Sequence, residues 1–109
     1  MTIEGSRDAV DAPEWWHALA AQIGTEHRVA GLDIALVLAD VTPPRDRGSF
    51  VAFALLFTGP LTPVLESGTH RLAGPHGEQD MGLAPLGPTD DGTGWRYEAG
   101  FTIPIEVAP

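Results

Sequence analysis

The side chains that could do chemistry in this sequence are few and scattered. The 109-residue chain has no cysteine, so disulfides, thiolate catalysis and cysteine-bound metals are excluded. Four histidines are the only side chains that titrate near neutral pH: His17, His27, His70 and His76. The last two flank a predicted hairpin beside Glu78 and Asp80, but no ligand spacing of the HExxH type is present. We therefore expect neither a metal site nor a cofactor.

Motifs for nucleophilic or acid–base catalysis are equally weak. The three serines, at positions 6, 49 and 67, lie outside any Gly-x-Ser-x-Gly elbow. A pair of carboxylates could serve acid–base or glycosidic chemistry, but the sequence brings no two candidates together. Those candidates are Asp33, Asp40, Glu66 and Glu98. The glycine-rich stretch 92–94 lacks the pattern of a phosphate-binding loop and precedes a strand rather than a helix. These observations favour a protein that is not an enzyme.

The charge balance argues against one broad class of partner. Fifteen acidic residues stand against six basic ones, all arginine, which gives a formal net charge of −9 and a pI near 4.5. Nucleic-acid binding draws its affinity largely from clustered lysine and arginine, so we expect no nucleic-acid partner. Arg45 and Arg47 form a small basic tip around Asp46. We interpret this tip as a solvated turn, and contact with an acidic partner surface is the alternative.

The sequence gives no signal for membrane insertion or export. The residues after Met1 lack a basic region that leads into an apolar one. The longest apolar run, 50–57, is far shorter than the ~20 residues of a spanning helix. We expect a cytoplasmic protein with no membrane partner.

The elements that would position these side chains begin with one helix. Residues 1–10 are polar and aperiodic, so we expect a flexible arm followed by a single β-domain over 11–109. Asp11 can cap a helix, and Gly24 can end it in a left-handed turn. Between them an apolar stripe recurs at helical spacing through Trp15, Leu19 and Ile23. These signals predict a helix over about 12–23.

Beyond Gly24 the apolar period changes to that of β-strands. Strands are predicted over 27–30, 33–41, 49–58, 69–73, 79–85 and 95–102. Gly59 and Pro60 should end the third of these, and 86–94 is predicted to be a loop. No β-α-β alternation is present. The predicted fold class is therefore mainly β, a small antiparallel β-barrel or sandwich of five to six strands with one N-terminal helix.

Two apolar features have the character of contact surfaces. Trp15 and Trp16 lie about 100° apart on the predicted helix, so one core-facing side can bury one of them fully and the other only partly. Partly exposed aromatic residues are enriched at protein interfaces. The alternative is that both cover an open end of the barrel. The second feature is the apolar loop after strand 49–58, where Leu61, Val64 and Leu65 are further interface candidates.

Several segments in the second half of the chain form an ordered pattern. They include Phe53-Ala54-Leu55-Leu56-Phe57-Thr58-Gly59-Pro60, Gly68-Thr69-His70-Arg71-Leu72, Pro75-His76-Gly77-Glu78 and Tyr97-Glu98-Ala99-Gly100-Phe101. This pattern resembles a family of small uncharacterised bacterial domains, in which an aromatic residue is usual where His70 stands here. The resemblance implies no established activity. It implies that the gene lies beside genes for phage tail-collar or fibre-like proteins, because such domains are often encoded there.

We expect a non-enzymatic domain that acts through contacts with a protein partner or by self-association into an oligomer. The resemblance adds a role in a phage-tail-like or fibre assembly. The alternative is a barrel that binds or hydrolyses a small ligand in a pocket with His70 or Glu98 at its mouth. The barrel interior separates the two hypotheses. Side chains that fill it favour protein contacts, whereas an enclosed cavity with convergent polar groups favours a ligand.

Overall fold

A curled antiparallel sheet and one short helix make up the fold. The computed structural model describes residues 14–48, 50–75 and 77–104, and the side chains of Glu14, Trp15 and Pro104 lie outside that description. The predicted arm over 1–10 also lies outside it. The elements are α1 (Glu14–Ala20), β1 (Glu26–Val29), β2 (Ala35–Val41), β3 (Arg45–Asp46), β4 (Phe50–Pro60), β5 (Gly68–Gly74), β6 (Gly77–Pro88) and β7 (Gly94–Pro104).

Six of the strands close into a barrel. Hydrogen bonding runs in the order β2-β1-β5-β6-β7-β4, and β4 pairs back onto β2. Each of these pairs is antiparallel. The two-residue strand β3 pairs with β4 nearer to its start than β2 does. The predicted fold class, a mainly β protein with a small antiparallel barrel and an N-terminal helix, is confirmed.

Alternating side chains fill the barrel. In β7, Tyr97 and Ala99 are buried while Arg96 and Gly100 are exposed, as a period of two requires. The largest fully buried side chains come from five different strands: Tyr97, Phe57, Leu36, Leu38, Leu72 and Leu83. The interior of the barrel is therefore a packed hydrophobic core.

The helix is shorter than predicted. α1 ends at Ala20, and residues 21–24 form turns in which Gly24 has the left-handed φ of 97° that the sequence predicts. The Gly24 N–H donates to the Leu38 carbonyl at 2.7 Å, and the Leu38 N–H donates to the Thr25 carbonyl at 3.0 Å. The chain thus leaves the helix by bonding to β2 instead of adding a helical turn. The predicted start at residues 12 and 13 lies outside the described part of the chain.

The strand β4 continues past the expected stop. Gly59 and Pro60 belong to it and pair with the start of β7. Pro60 is tolerated because it is the last residue of the strand, where its missing N–H costs little. A Cβ at position 59 would lie 2.5 Å from the Leu36 Cδ2 atom, so a larger residue there would force the buried Leu36 side chain to move. The glycine permits close approach between strands, and the prediction that it breaks the strand is wrong.

The strand β6 also extends through part of the predicted 86–94 loop and ends at Pro88. Its pairing with β7 shifts register between Pro85 and Gly87, and Gly87 has a φ of 125°. Such an irregularity accommodates a proline within a strand and explains how a Gly/Pro-rich stretch still forms a ladder.

One pair of strands runs past the closed barrel. The strand β2 meets β4 only over 55–58, and β6 meets β7 only over 95–98. Residues 50–54 of β4 and 100–104 of β7 are paired to each other beyond those limits. We call this two-stranded extension the ribbon. The strand β3 lies along its β4 edge.

Candidate functional site

The helix contributes one described tryptophan, and that residue packs against the core. Trp16 is half-buried, and its Nε1–H donates to the Thr42 carbonyl at 2.7 Å. Its ring meets the His17 ring edge-on, with centroids 5.2 Å apart. The side chain of Trp15, the other predicted interface aromatic, lies outside the described part of the chain. Trp16 therefore ties the helix to the loop after β2, and only part of its ring is available to a partner.

The apolar loop between β4 and β5 is divided between surface and core. Leu61 and Val64 are 41% and 40% exposed, so both are available for contacts. Leu65 is 4% exposed, and its N–H donates to the buried Tyr97 hydroxyl at 2.8 Å. Leu65 is thus a core residue that anchors the loop, and only two of the three predicted interface side chains are on the surface.

The two candidates for a ligand pocket do not line one site. His70 lies in β5 opposite Met81, and its Nε2 is 2.8 Å from the Glu66 carbonyl oxygen. Glu98 lies in β7, with β6 between the two strands, and it lines an open groove that does not include His70. The structure therefore does not bring the predicted histidine and carboxylate together.

A buried histidine that sequence reasoning did not single out lies beside a hydroxyl. His27 Nε2 is 3.0 Å from Thr25 Oγ1, and that hydroxyl donates its hydrogen to the Gln22 carbonyl at 2.6 Å. Nε2 must then be the donor, so His27 is not placed to take a proton from Thr25. The other ring nitrogen faces Gly74 so closely that a Cβ there would overlap the ring. Burial lowers the pKa of His27. The arrangement is that of a packed core histidine, because its acceptor nitrogen Nδ1 is packed against Gly74 and leaves no space there for a substrate.

Several surface carboxylates are used by the fold itself. Arg71 Nε donates to Asp80 Oδ1 at 2.8 Å across β5 and β6, and this hydrogen bond lowers the pKa of Asp80. Asp91 accepts hydrogen bonds from the Thr89 hydroxyl and from the N–H and hydroxyl of Thr93, which lower its pKa to about 2. Within the described ranges, no group of three or more acidic or histidine residues could hold a metal ion. No helix there is long and apolar enough to cross a membrane.

An open groove of about 440 Å³ runs along the ribbon. Thr42 fixes the loop that borders it, because its N–H donates to the Ala54 carbonyl at 2.9 Å and its hydroxyl accepts from the Ala54 N–H at 2.7 Å. The hairpin of β3 and β4 brings two arginines to the same border. The lining residues are Thr42, Arg45, Arg47, 52–54, Glu98 and 100–102.

The two ends of this groove carry charges of opposite sign. Cross-strand pairing places Arg45 beside Ala52 at one end and Glu98 beside Leu56 at the other, and Asp40 pairs with Leu56 just outside the groove lining. Ala52 and Leu56 are four residues apart in β4, which corresponds to about 13 Å along a strand. Three charged side chains in the groove have no hydrogen-bond or ion-pair partner among the residues that the structure describes: Arg45, Arg47 and Glu98.

The middle of the groove is formed by small residues. Ala54 lies opposite Gly100, and a Cβ added at Gly100 would meet no atom within 4 Å. The sequence held a signal for this face, because small and large residues alternate at 52–55. It held no signal that the turn with Arg45 and Arg47 folds beside that face. Sequence reasoning therefore interpreted the two arginines as a solvated turn and missed the groove.

Comparison with known proteins identifies a family but no activity. No curated protein and no solved structure matches the chain. A family model described as "Domain of unknown function (DUF6916)" matches residues 16–101, which includes α1 from Trp16 onward, the six barrel strands and most of the ribbon. Because the match spans well over half of the sequence, the chain belongs to the DUF6916 family of domains of unknown function.

Proposed function

We propose that this chain is a non-enzymatic protein-interaction domain that contacts its partner through the ribbon. The observation that carries the proposal is that apolar side chains continue along the ribbon beyond the closed barrel. Phe53 and Phe101 stack with centroids 5.3 Å apart and an interplanar angle of 18°. The next pair outward on the same face is Val51 and Ile103, and Ile103 is 37% exposed.

The packed interior of the barrel supports contacts over catalysis. Large side chains occupy the space that a ligand-binding barrel would keep open, as the burial of Tyr97 and Phe57 to 1% exposure illustrates. The groove along the ribbon is open to solvent, and the described residues that line it include no histidine or serine. A surface of this kind suits recognition of another protein better than catalysis, which gains from a closed site that expels bulk water.

The ribbon also has the composition of a contact surface. Apolar side chains at its end are partly exposed, with Phe50 at 37% like Ile103, and unpaired charges lie along the groove. Interfaces typically combine an apolar centre with a polar rim. Leu61 and Val64 form a second exposed apolar pair in the loop after β4 and are the secondary contact candidates.

The biological setting that we propose is a phage-tail-like or fibre assembly in the bacterial cytoplasm. The support is the sequence resemblance described above. It implies a family whose members are often encoded beside tail-collar or fibre-like proteins. A small domain with a packed core and a projecting two-stranded ribbon would serve such an assembly as an accessory or structural component. The partner would then be another component of the assembly or a further copy of the chain.

Quantitative affinity capture tests the proposal. Wild-type chain, Ile103→Asp and the control Leu86→Asp are immobilised and exposed to extract of the source cells, and bound proteins are quantified by mass spectrometry. Leu86 lies in β6 and is 46% exposed, so the control introduces the same charge at a similarly exposed site off the ribbon. We expect at least one protein to be retained by wild type and control but reduced at least about tenfold on Ile103→Asp. Equal retention on all three chains would show that the ribbon is not the contact surface.

A further inference from the structure

We propose that the groove face of the ribbon binds a second copy of this chain about a twofold axis. This proposal rests on the proposed function, because it names the partner for one face of the same ribbon. The structural basis is an arrangement of charge along the groove that is complementary to itself when reversed. The axis would lie between the two facing sheets, parallel to the line from Ala54 to Gly100, with the strands of the two copies running antiparallel.

The cross-strand register sets the groove residues in three rows. The first row contains Arg45, Ala52 and Thr102. The middle row contains Thr42, Ala54 and Gly100, and the last contains Asp40, Leu56 and Glu98. Successive rows are two residues apart in β4, so each outer row lies about 6.6 Å from the middle one. A twofold axis along the middle row therefore places the first row of each copy over the last row of the other. Arg45 of one copy then faces Asp40 of the other, and Glu98 lies in the same row about 9.6 Å to the side, two strand spacings away.

Arg45, Arg47 and Glu98 are available for such pairing, whereas Asp40 Oδ1 already accepts the Val41 N–H at 2.9 Å. Arg28 and Arg71 each have an acidic partner within 4 Å, whereas Arg45 and Arg47 have none among the described residues. Glu98 is half-buried and likewise has no partner there. A second copy would supply carboxylates for the arginines and an arginine for the carboxylate. Contacts of this kind are reciprocal, which is the defining property of a twofold interface.

The middle row allows two sheets to approach closely. Ala54 and Gly100 present little side chain, and the space above Gly100 is open. Within the groove, a partner with only acidic groups would be repelled at Glu98, and a purely basic one at Arg45 and Arg47. A partner therefore needs both positive and negative side chains, in the reverse order along the groove. A second copy of the chain has that order when it is rotated about the twofold axis.

The size of the face predicts a weak dimer. Three strands at about 4.8 Å spacing and some six residues of length give a face on the order of 300 Å² per copy. Stable dimers commonly bury about 800 Å² per partner, so this contact alone corresponds to a transient complex with a dissociation constant in the micromolar range or above. Measurements therefore need protein concentrations up to about 0.5 mM.

Charge reversal provides the sharpest test. In Glu98→Arg the groove residues at 45, 47 and 98 are all positive, and in the double variant Arg45→Glu, Arg47→Glu they are all negative. We expect each variant alone to self-associate at least about thirtyfold more weakly than wild type in sedimentation velocity at 0.15 M salt. The double variant Arg28→Glu, Arg71→Glu has the same net charge as the all-negative chain and should dimerise like wild type, since both sites lie away from the groove. An equimolar mixture of the all-positive and all-negative variants should form a heterodimer.

A steric variant provides an independent reading. Gly100→Gln fills the centre of the proposed interface without straining the fold, because open space surrounds that position. Gly82→Gln is the matched control, since Gly82 is an exposed strand glycine that is equally open. Dimer loss in the first variant alone supports the proposal. A wild-type chain that stays monomeric up to 0.5 mM, or charge variants that dimerise normally, overturn it. Either result leaves the proposed function supported if, in the affinity-capture experiment, Ile103→Asp retains less of a protein that the wild-type chain binds.

Discussion

Removing one hydroxyl group from the barrel core should destabilise the fold measurably. Tyr97 is 1% exposed, and its hydroxyl accepts the hydrogen bond from the N–H of Leu65, itself 4% exposed. In Tyr97→Phe that N–H keeps its buried position and loses its acceptor. A buried donor left without a partner costs about 1–3 kcal/mol. For a domain of this size, a loss of 1–3 kcal/mol corresponds to a fall in Tm of roughly 5–15 °C.

Urea unfolding and hydrogen exchange measure this effect at two levels. Urea midpoints give the free energy of unfolding, and exchange at the Leu65 amide reports whether the loop over 61–67 is released before the barrel opens. Thr69→Val is the control, because it removes an exposed hydroxyl that makes no hydrogen bond within the described part of the chain, and it should change stability by less than about 0.5 kcal/mol. The reasoning is refuted if Tyr97→Phe matches the control in stability and the Leu65 amide keeps its wild-type protection.

Three further predictions concern stability. Burial lowers the pKa of His27 in the folded chain. The contribution of neutral His27 to the free energy of unfolding is therefore complete above its pKa in the unfolded chain, about 6.5, and is lost as the pH falls from there through the folded pKa. Urea midpoints should fall accordingly between pH 7.5 and 5.5, and His27→Phe should remove part of that slope. Gly74→Ala should destabilise by about 1–3 kcal/mol in the same assay, because the new Cβ overlaps the His27 ring, whereas Gly82→Ala should not. Trp16→Phe should lower the thermal midpoint by the loss of one hydrogen bond, about 1 kcal/mol, and a midpoint equal to that of wild type would contradict the tie between helix and loop.

The strands could be predicted because each has a clear alternation of its own. The pattern over 95–102 gives the correct inward and outward faces, and Gly24 gives the correct left-handed turn. The predicted hairpin over 69–85 is confirmed as the pairing of β5 with β6. Local propensity and local side-chain period are enough for such features.

The strand ends could not be predicted because packing between distant residues decides them. Gly59 and Pro60 have the composition of a strand stop, yet both belong to β4, and Gly59 leaves room for the buried Leu36 side chain. The stretch 86–94 has the composition of a loop, but pairing with β7 extends the strand to Pro88. In each case a tertiary contact overrides a local signal.

The candidate site was still harder to predict because it depends on register. No local sequence pattern indicates that Arg45 and Glu98 lie on one face of the ribbon. Their pairing partners in β4, Ala52 and Leu56, are four residues apart. Sequence reasoning named Glu98 as a candidate for a ligand pocket, and it assigned Leu65 to the surface because the apolar loop gave no sign of the Tyr97 hydroxyl that anchors it. Cross-strand pairing is a property of the whole sheet, and a single sequence specifies it only weakly.

Amide chemical shifts followed during dilution test most directly whether the chain self-associates through the groove face of the ribbon. A labelled sample diluted from 0.5 mM to 10 μM should show its largest shift changes at 52–54 and 98–102, with small changes in β1 and β5. Shifts that do not depend on concentration would contradict self-association through the ribbon groove. Changes that cluster on the loop over 61–64 instead would contradict the groove as the dimer interface.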